Sequence, residues 1–388
     1  MKLCVVSFKE CWPDGRGGWM SDGGFPRQMA AISSLFDEMV LATATCSPRP
    51  GGNALPPNLR LVPLRRPIGM DARRKLSVMA HLPHYVRLIA SEVRRADAVH
   101  VPLPGDLPFI GMLIANAFHK PLLARYGSSW SVNGETTAMN RLTKGWMRLA
   151  AGGRNVMVAT GDGDQPPAEH MHWLFASAVS RRELHQLESH LDRGLSTPPR
   201  LVYAGRLSSE KGVPVLLQAF AQIQGRTDAT LSIAGDGPQR ASLEAEARRL
   251  LPKDRVAFLG QLNRDELSRC LATADVCVHP SLTESLCKAW LDAMAHGLPV
   301  IACDVGAARS AIGVSGERGM LVPPGDVSAL ASALLRMLDE PREWPAMRRR
   351  CHEFVQGRTL ETWAQRLGVL CATQWGVSLV DGKLRPCM

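Results

Sequence analysis

The sequence predicts an α/β protein of two domains, each built on a parallel sheet. Three observations carry that prediction. Short apolar runs of strand length alternate with helical patterns along most of the 388 residues. Glycine-rich or charged turns follow several of those runs directly, at LCVVSF, LVYAG and LSIAG. A length of 388 residues suits two domains that each bury a core. The expected division is an N-terminal domain over 1–185, a linker over 186–199 ending in Thr197-Pro198-Pro199, a C-terminal domain over 200–350, and a terminal helix and tail over 351–388.

In the first half, residues 3–8 form a buried strand, and the loop behind it carries Gly15, Gly17, Gly18, Gly23 and Gly24 before a helix near Pro26. Gly23 and Gly24 are candidates for facing a donor phosphate, because glycine lets backbone N–H groups approach without a Cβ in the way; the alternative is a plain surface loop. A dinucleotide fingerprint does not fit, since the loop is too long and no acid ends the next strand, EMVLAT. Strands follow at 38–43 and LRLVPL, then a basic segment over 63–96 with Arg65, Arg66, Arg73, Arg74 and Lys75 ahead of apolar positions from Leu76 to Val93, interrupted by Pro83. It suits a membrane interface, or simply a solvated face. DAVHVPL at 97–103 and PLLARYGSSWS at 121–131 are the next strands, opening into a polar loop through Asn133 and Glu135. Ligands gather at such strand ends, so His100, Arg125 and Tyr126 mark a candidate cleft, although a lone strand histidine is commonly a packing residue. RNVMVAT at 154–160 and LFAS near 174–177 close the domain.

The second half opens with LVYAGRLSSEKGVPVLLQAF. Arg206 and Lys211 leave the same strand-to-helix turn after Gly205 and can converge on one diphosphate, the first as a fork and the second as a point charge. LSIAGDGPQR brings a strand and a Gly235-Asp236-Gly237 turn, VAFLG another strand, and DVCVHPS leads to Glu284. A helix beginning near Ser285 carries Asp292 and stops at Gly297-Leu298-Pro299. Its free N–H groups suit a phosphate or sugar oxygen, with Glu284 beside them; the alternatives are a helix cap for Glu284 and a solvated side chain for Asp292. VIACD, the Gly306 loop, GMLVPPGD and a helix over 327–338 complete the sheet.

Composition narrows the function. With 45% hydrophobic and 21% charged residues and no apolar run of membrane-span length, a bilayer-crossing protein is not expected. Nor is a secreted one, because no signal-type segment opens the chain. Ten scattered cysteines without a C-x-x-C pair read as reduced thiols, not as zinc ligands or a disulfide framework. The net charge of +10 lies entirely in residues 1–154, with 20 Lys+Arg against 10 Asp+Glu. With only 5% aromatic residues, that surplus points to an anionic membrane surface or lipid phosphate and not to nucleic acid.

GRLSSEKG at 205–212, GDGPQR at 235–240, and Glu284 and Asp292 around SLCKAWL with AMAHGLPVIA behind them occur in an order and spacing that resemble the GT-B retaining glycosyltransferases, the large group 1 family with a Glu-x7-Glu motif. The resemblance covers roughly residues 200–340 well and the first domain more loosely. It implies two Rossmann-like α/β domains facing each other across a cleft, with the helix LETWAQRLGVLCATQW crossing back to the first. It also implies transfer of a sugar from a UDP- or GDP-sugar to a lipid-linked saccharide or glycan acceptor, without metal or cofactor; the reduced thiols, the missing signal segment and the basic first domain point to the cytoplasm, peripherally on the inner face of the membrane. Arg206 and Lys211 would neutralise the diphosphate, Glu284 would bind sugar hydroxyls, and the Leu286 and Cys287 amides would hold sugar and phosphate. The Gly205, Gly235, Asp236 and Gly237 turns would line the donor. Asp292 would bind the ribose where the family has Glu, and Gly127 stands where many members have a histidine. Asp162-Gly163-Asp164 is read as a surface loop, not a metal motif. Asp292 and Gly127 motivate an alternative, an inactive donor-binding homologue that serves a glycan assembly complex as partner or regulator; a sugar-nucleotide epimerase is a third reading.

Overall fold

The computed structural model describes residues 1–49, 52–69, 71–130, 136–163, 165–175, 177–313, 316–339 and 343–387. The expected polar loop at Asn133 and Glu135, and Asp164, lie outside the described residues. Contacts divide the chain into one unit of 1–178 with 360–388 and a second of 179–359.

The first unit runs β1 (Lys2–Val6), β2 (Cys11–Pro13), β3 (Trp19–Ser21), α1 (Phe25–Ser33), β4 (Glu38–Ala44), β5 (Asn53–Ala54), β6 (Leu59–Leu64), α2 (Asp71–Ala80), α3 (Leu82–Arg95), β7 (Ala98–Leu103), α4 (Asp106–Ala117), β8 (Leu122–Tyr126), α5 (Ala138–Leu149), β9 (Asn155–Thr160) and β10 (Met171–Leu174). Its main sheet is parallel, in the order β10-β9-β8-β7-β1-β4-β6. Central strands such as β7 are buried along their whole length, which is why they read as unbroken apolar runs. The glycine-rich loop after β1 holds β2 and β3, which join β5 in a small antiparallel sheet. The helical pattern at 71–95 is two helices broken at His81, with Pro83 in the first turn of the second, where proline is tolerated. The last strand falls at 171–174, ahead of the expected LFAS.

The second unit runs α6 (Arg181–Gln186), β11 (Arg200–Ala204), α7 (Val213–Ile223), β12 (Thr230–Ala234), α8 (Arg240–Leu250), β13 (Val256–Gly260), α9 (Arg264–Thr273), β14 (Val276–His279), α10 (Lys288–Ala295), β15 (Val300–Cys303), α11 (Ala308–Ile312), β16 (Gly319–Val322), α12 (Val327–Asp339) and α13 (Trp344–Gln356). Its parallel sheet has the order β13-β12-β11-β14-β15-β16. Strand order therefore reverses between β11 and β14, where ligands of open α/β sheets bind. Capping boxes Ser180/Glu183 and Asn263/Glu266 start α6 and α9. At the expected linker, Ser196 is tied to buried Asp275 through its backbone N–H and hydroxyl, so that segment is fixed within this unit. The chain ends with α14 (Leu360–Trp375), β17 (Val377–Val380) and β18 (Lys383–Pro386). α14 packs back in the first unit, with Trp375 against Phe36.

Candidate donor site in the second unit

Both loops that leave the sheet at its reversal point carry predicted site residues. The loop after β11 holds Gly205, Arg206 and Lys211, and the loop after β14 holds Glu284, Leu286 and Cys287. They are stitched together. The Leu282 N–H donates to the Glu210 carbonyl at 2.8 Å. Gly212 takes φ +64°, and a Cβ there would stand 2.1 Å from the Pro280 carbonyl oxygen, so only glycine permits this approach. The result is a Lys211 Nζ to Glu284 Oε2 ion pair of 2.5 Å, with the side chains 19% and 12% exposed. Burial on its own would lower the Lys211 pKa, but Glu284 outweighs it and holds the ammonium above its ordinary value.

Arg206 is exposed on the same turn, and its carbonyl accepts from the Tyr203 hydroxyl at 2.9 Å. Glu210 lies within the field of both cations. Burial opposes its ionisation, but the Ser208 hydroxyl, then its own backbone N–H, then Lys211 and Arg206 hold the carboxyl below its usual range. Arg206, Lys211 and Glu284 thus border one loop cluster, with Lys211 and Glu284 in direct contact.

The helix after Glu284 starts at Lys288, three residues later than the sequence suggests, because Ser285–Cys287 stay outside it. The Ser285 carbonyl accepts from the Ala307 N–H at 2.8 Å, which fixes this extended entry. Leu286 and Cys287 are buried side chains whose backbone N–H groups have no acceptor among the described residues. Burial, then the nearby Glu284 charge, raises the Cys287 thiol strongly, so it is no thiolate nucleophile. The helix ends as expected: Gly297 N–H donates to the Met294 carbonyl and Leu298 N–H to the Ala293 carbonyl, both at 3.0 Å, a Schellman pair.

Asp292 is directed to a different partner. It is buried, and its Oδ1 accepts from Arg264 at 2.5 Å, while Arg264 also reaches Glu183 at 3.4 Å. The two motif acids therefore each hold their own cation. Gly235 and Gly237 sit against the first turn: a Cβ on Gly235 would lie 1.8 Å from the Gly205 carbonyl oxygen, at φ +143°. Asp236 is bound to Arg240 at 3.3 Å and accepts from the Gly237 N–H at 2.7 Å.

Sequence reasoning passed over three side chains here. His279, the last residue of β14, is buried and spans the reversal point. Its Nε2 donates to the Ala204 carbonyl at 2.9 Å, leaving Nδ1 to accept from the Ser281 hydroxyl at 3.2 Å. It stacks on Tyr203 with centroids 5.0 Å apart and meets Trp290 edge-on. Burial keeps its pKa low and the ring neutral. Tyr203 and Arg264 complete the support. The available signals were the His-Pro pair ending a strand and the Asn-Arg-Asp-Glu cap opening α9.

In the first unit, His100 is not at a strand end. It lies mid-strand in β7, opposite Val5 and Leu123, with Nδ1 2.9 Å from the Leu123 carbonyl and a pKa lowered to about 3, chiefly by burial. An apolar strand interior has taken it into the core, away from the loops. Gly23 and Gly24 do stand at the start of α1, the Gly23 carbonyl accepting from Asn53 at 2.9 Å. Gly127 donates its N–H to the Leu103 carbonyl at 2.7 Å. A cavity of about 690 Å³ along β10 and α14, lined by Trp173, Arg366 and Val369 among others, contains none of the predicted site residues.

Residues 198–340 match the family model for glycosyl transferases group 1, and the match contains all of the second-unit residues just described except Glu183. This stretch is a glycosyl transferases group 1 domain. This chain is 36% identical over 160 residues to 2-deoxystreptamine glucosyltransferase of Streptomyces kanamyceticus, covering 38% of this chain and 41% of that protein. The chain thus spans about half the length or less of the curated relatives it matches, 41% and 47% for two of them. Among solved structures, sucrose-phosphate synthase from Thermosynechococcus elongatus superposes with a TM-score of 0.74 at 22% identity, covering 97% of this chain and 99% of that one. Anabaena HepE in complex with UDP and glucose superposes with a TM-score of 0.68 at 17% identity, covering 96% and 99%. The chain around the group 1 domain has the GT-B fold.

Proposed function

We propose that the protein is a retaining glycosyltransferase that moves a sugar from a UDP- or GDP-sugar to a lipid-linked saccharide or other glycan acceptor. The Lys211–Glu284 pair at the sheet's reversal point carries this reading, since it sets a cation and a sugar-binding acid side by side among glycine-packed loops. Arg206 and Lys211 hold the donor diphosphate, Glu284 accepts from sugar hydroxyls, the Leu286 and Cys287 amides take sugar or phosphate oxygens, and Asp292 accepts from the ribose. The glucosyltransferase and kanosaminyltransferase of Streptomyces kanamyceticus support sugar transfer, and the UDP and glucose of the HepE complex support a nucleotide-sugar donor.

In the transfer, the bond from the anomeric carbon to the diphosphate oxygen breaks as the acceptor oxygen forms its bond on the same face. The acceptor proton passes to the departing diphosphate, so no side chain needs to act as base. Charge builds on the leaving group, and the two cations are placed to stabilise it, which makes this the main electrostatic contribution. Both cations do what a metal does elsewhere, so turnover is expected to continue in EDTA.

A second reading, a donor-binding homologue without turnover, draws on Asp292 being held by Arg264 instead of standing free. Purified protein screened by thermal shift with UDP-, GDP- and ADP-sugars, then assayed for transfer to lipid-linked acceptors, separates the two. A ligand that binds the native state raises the melting midpoint. Turnover that survives Arg206→Ala and Lys211→Ala with folding intact would overturn the site assignment; binding with neither transfer nor hydrolysis would favour the second reading.

A further inference from the structure

Residues 65–95 hold eight Lys+Arg against two Asp+Glu, a surplus of six within the chain's +10. The cations there are of two kinds. Arg66 is neutralised by Glu10 at 2.5 Å and Arg74 by Asp106 at 2.9 Å, while Glu92 is taken by Arg60. Arg65, Arg73, Lys75 and Arg87 have no acidic partner among the described residues. Interleaved with them are Ile68, Leu76, Met79 and Val86, which are 72%, 71%, 65% and 40% exposed.

Single exposed apolar residues are ordinary, but four in nineteen positions beside four unpaired cations are not. The arrangement on α2 is specific. At 3.6 residues per turn its exposed side chains order around the axis as Lys75, Met79, Leu76, Ala80 and Arg73, an apolar strip with a cation on each border. The opposite side carries Val78, which packs on the first unit's core, and Ser77, whose hydroxyl accepts from the Ile68 N–H at 3.0 Å. That bond holds the Ile68 backbone beside α2.

An apolar strip edged by cations fits a lipid interface, where the apolar groups enter the acyl boundary and the cations stay level with phosphates. Nucleic acid fits poorly, because the segment shows no exposed aromatic for stacking; Tyr85 is fully buried. We propose that α2 and the segment before it dock the protein on an anionic lipid bilayer, with Ile68, Leu76 and Met79 inserted and Arg65, Arg73, Lys75 and Arg87 against lipid phosphates. This goes beyond the transferase reading and does not require it.

The test is co-sedimentation of the full chain with vesicles of phosphatidylcholine alone or mixed with phosphatidylglycerol, at about 0.1 M salt. The parent should pellet with the mixed vesicles only, and less so as salt is raised. Leu76→Ser/Met79→Ser keeps every charge and should weaken partitioning by at least about tenfold. Arg73→Ser/Lys75→Ser should weaken it roughly fivefold per cation. The substituted residues lie on the exposed arc, so circular dichroism melts should match the parent. Lys211→Met should sediment like the parent, which separates this surface from the transferase site. A parent that stays in the supernatant, variants that pellet as it does, or binding to single-stranded RNA with none to vesicles would each overturn the proposal.

Discussion

Lys211→Met removes the ammonium while nearly keeping the length of the side chain, and leaves Glu284 at 12% exposure without its cation. At an effective dielectric of about 20, two unit charges ~4 Å apart attract by about 4 kcal/mol. Taking one partner from a fully buried pair costs about 3–5 kcal/mol. With both side chains still reached by water, about 2–3 kcal/mol is the expected loss here, scaled down from that range. In a unit of this size that is a fall in melting temperature of roughly 4–12 °C.

Glu284→Gln should cost less, and the double variant should regain part of the Lys211→Met loss, because the stranded charge is then gone. The pH dependence has a definite sign. A lysine whose folded pKa is raised contributes fully below its ordinary value of about 10.4 and loses that contribution as pH climbs through the folded value, so the gap between parent and Lys211→Met holds through neutral pH and closes only above about pH 10.5. Transfer itself should fall about 10²–10³-fold. Differential scanning calorimetry and a coupled nucleotide-release assay read both effects. Strictly additive single and double variants, or parent-like turnover in Lys211→Met, would refute the paired-site argument.

Gly235→Ala would push a Cβ to 1.8 Å from the Gly205 carbonyl at a strained φ of +143°, so a lowered melting temperature together with lost donor-induced thermal shift is expected; unchanged donor binding would show that the two turns are independent. Asp292→Asn should raise the donor KM by about tenfold and leave kcat within a few-fold, the pattern of a ground-state contact to the nucleotide; a fall in kcat alone would contradict ribose binding. Asp37 receives the N-terminal ammonium, Lys383 and Arg385, and its pKa is lowered to about 2, first by the ammonium hydrogen bond and then by Lys383. A depressed carboxylate contributes above its unfolded value of about 3.9 and loses that contribution as pH falls through about 2. The melting-temperature gap between the parent and Asp37→Asn should therefore be full at pH 5 and close near pH 2; a gap that stays constant would remove the clamp.

Much of the fold was legible because a parallel sheet buries both faces of its strands. LCVVSF, EMVLAT, LVYAG and DVCVHPS each hold a continuous apolar stretch for that reason, and their order puts Arg206, Lys211 and Glu284 in loops just past strand ends. What failed to show were elements whose signal is short or local. β2 and β3 are three residues each inside a glycine-rich loop, too brief for any alternation to emerge. The β17–β18 hairpin did carry a sign: Asp381 and Gly382 take φ of +49° and +74°, the two positive values of a tight hairpin turn, and an Asp-Gly pair between strand-like runs announces such a turn.

The pairing of charges lay further out of reach, because nothing local decides it. Lys211 and Glu284 are 73 positions apart, and Arg264 and Asp292 are 28 apart, so which cation meets which acid depends on the strand order β12-β11-β14-β15. With β14 beside β11, the loop bearing Glu284 falls next to the loop bearing Lys211, and His279 closes the gap through Ala204. The motif spacing of eight suggested two acids serving one ligand together. The folded arrangement gives each acid its own cation, so under the proposed function a donor would have to draw Glu284 and Asp292 away from, or share them with, Lys211 and Arg264. An ion pair that is already formed would hold both groups in place before such a donor arrived, and would compete with its sugar hydroxyls for Glu284. The double-variant cycle measures that competition directly: if Lys211 serves the diphosphate, Glu284→Gln should free it and tighten nucleotide diphosphate binding while weakening the grip on the sugar.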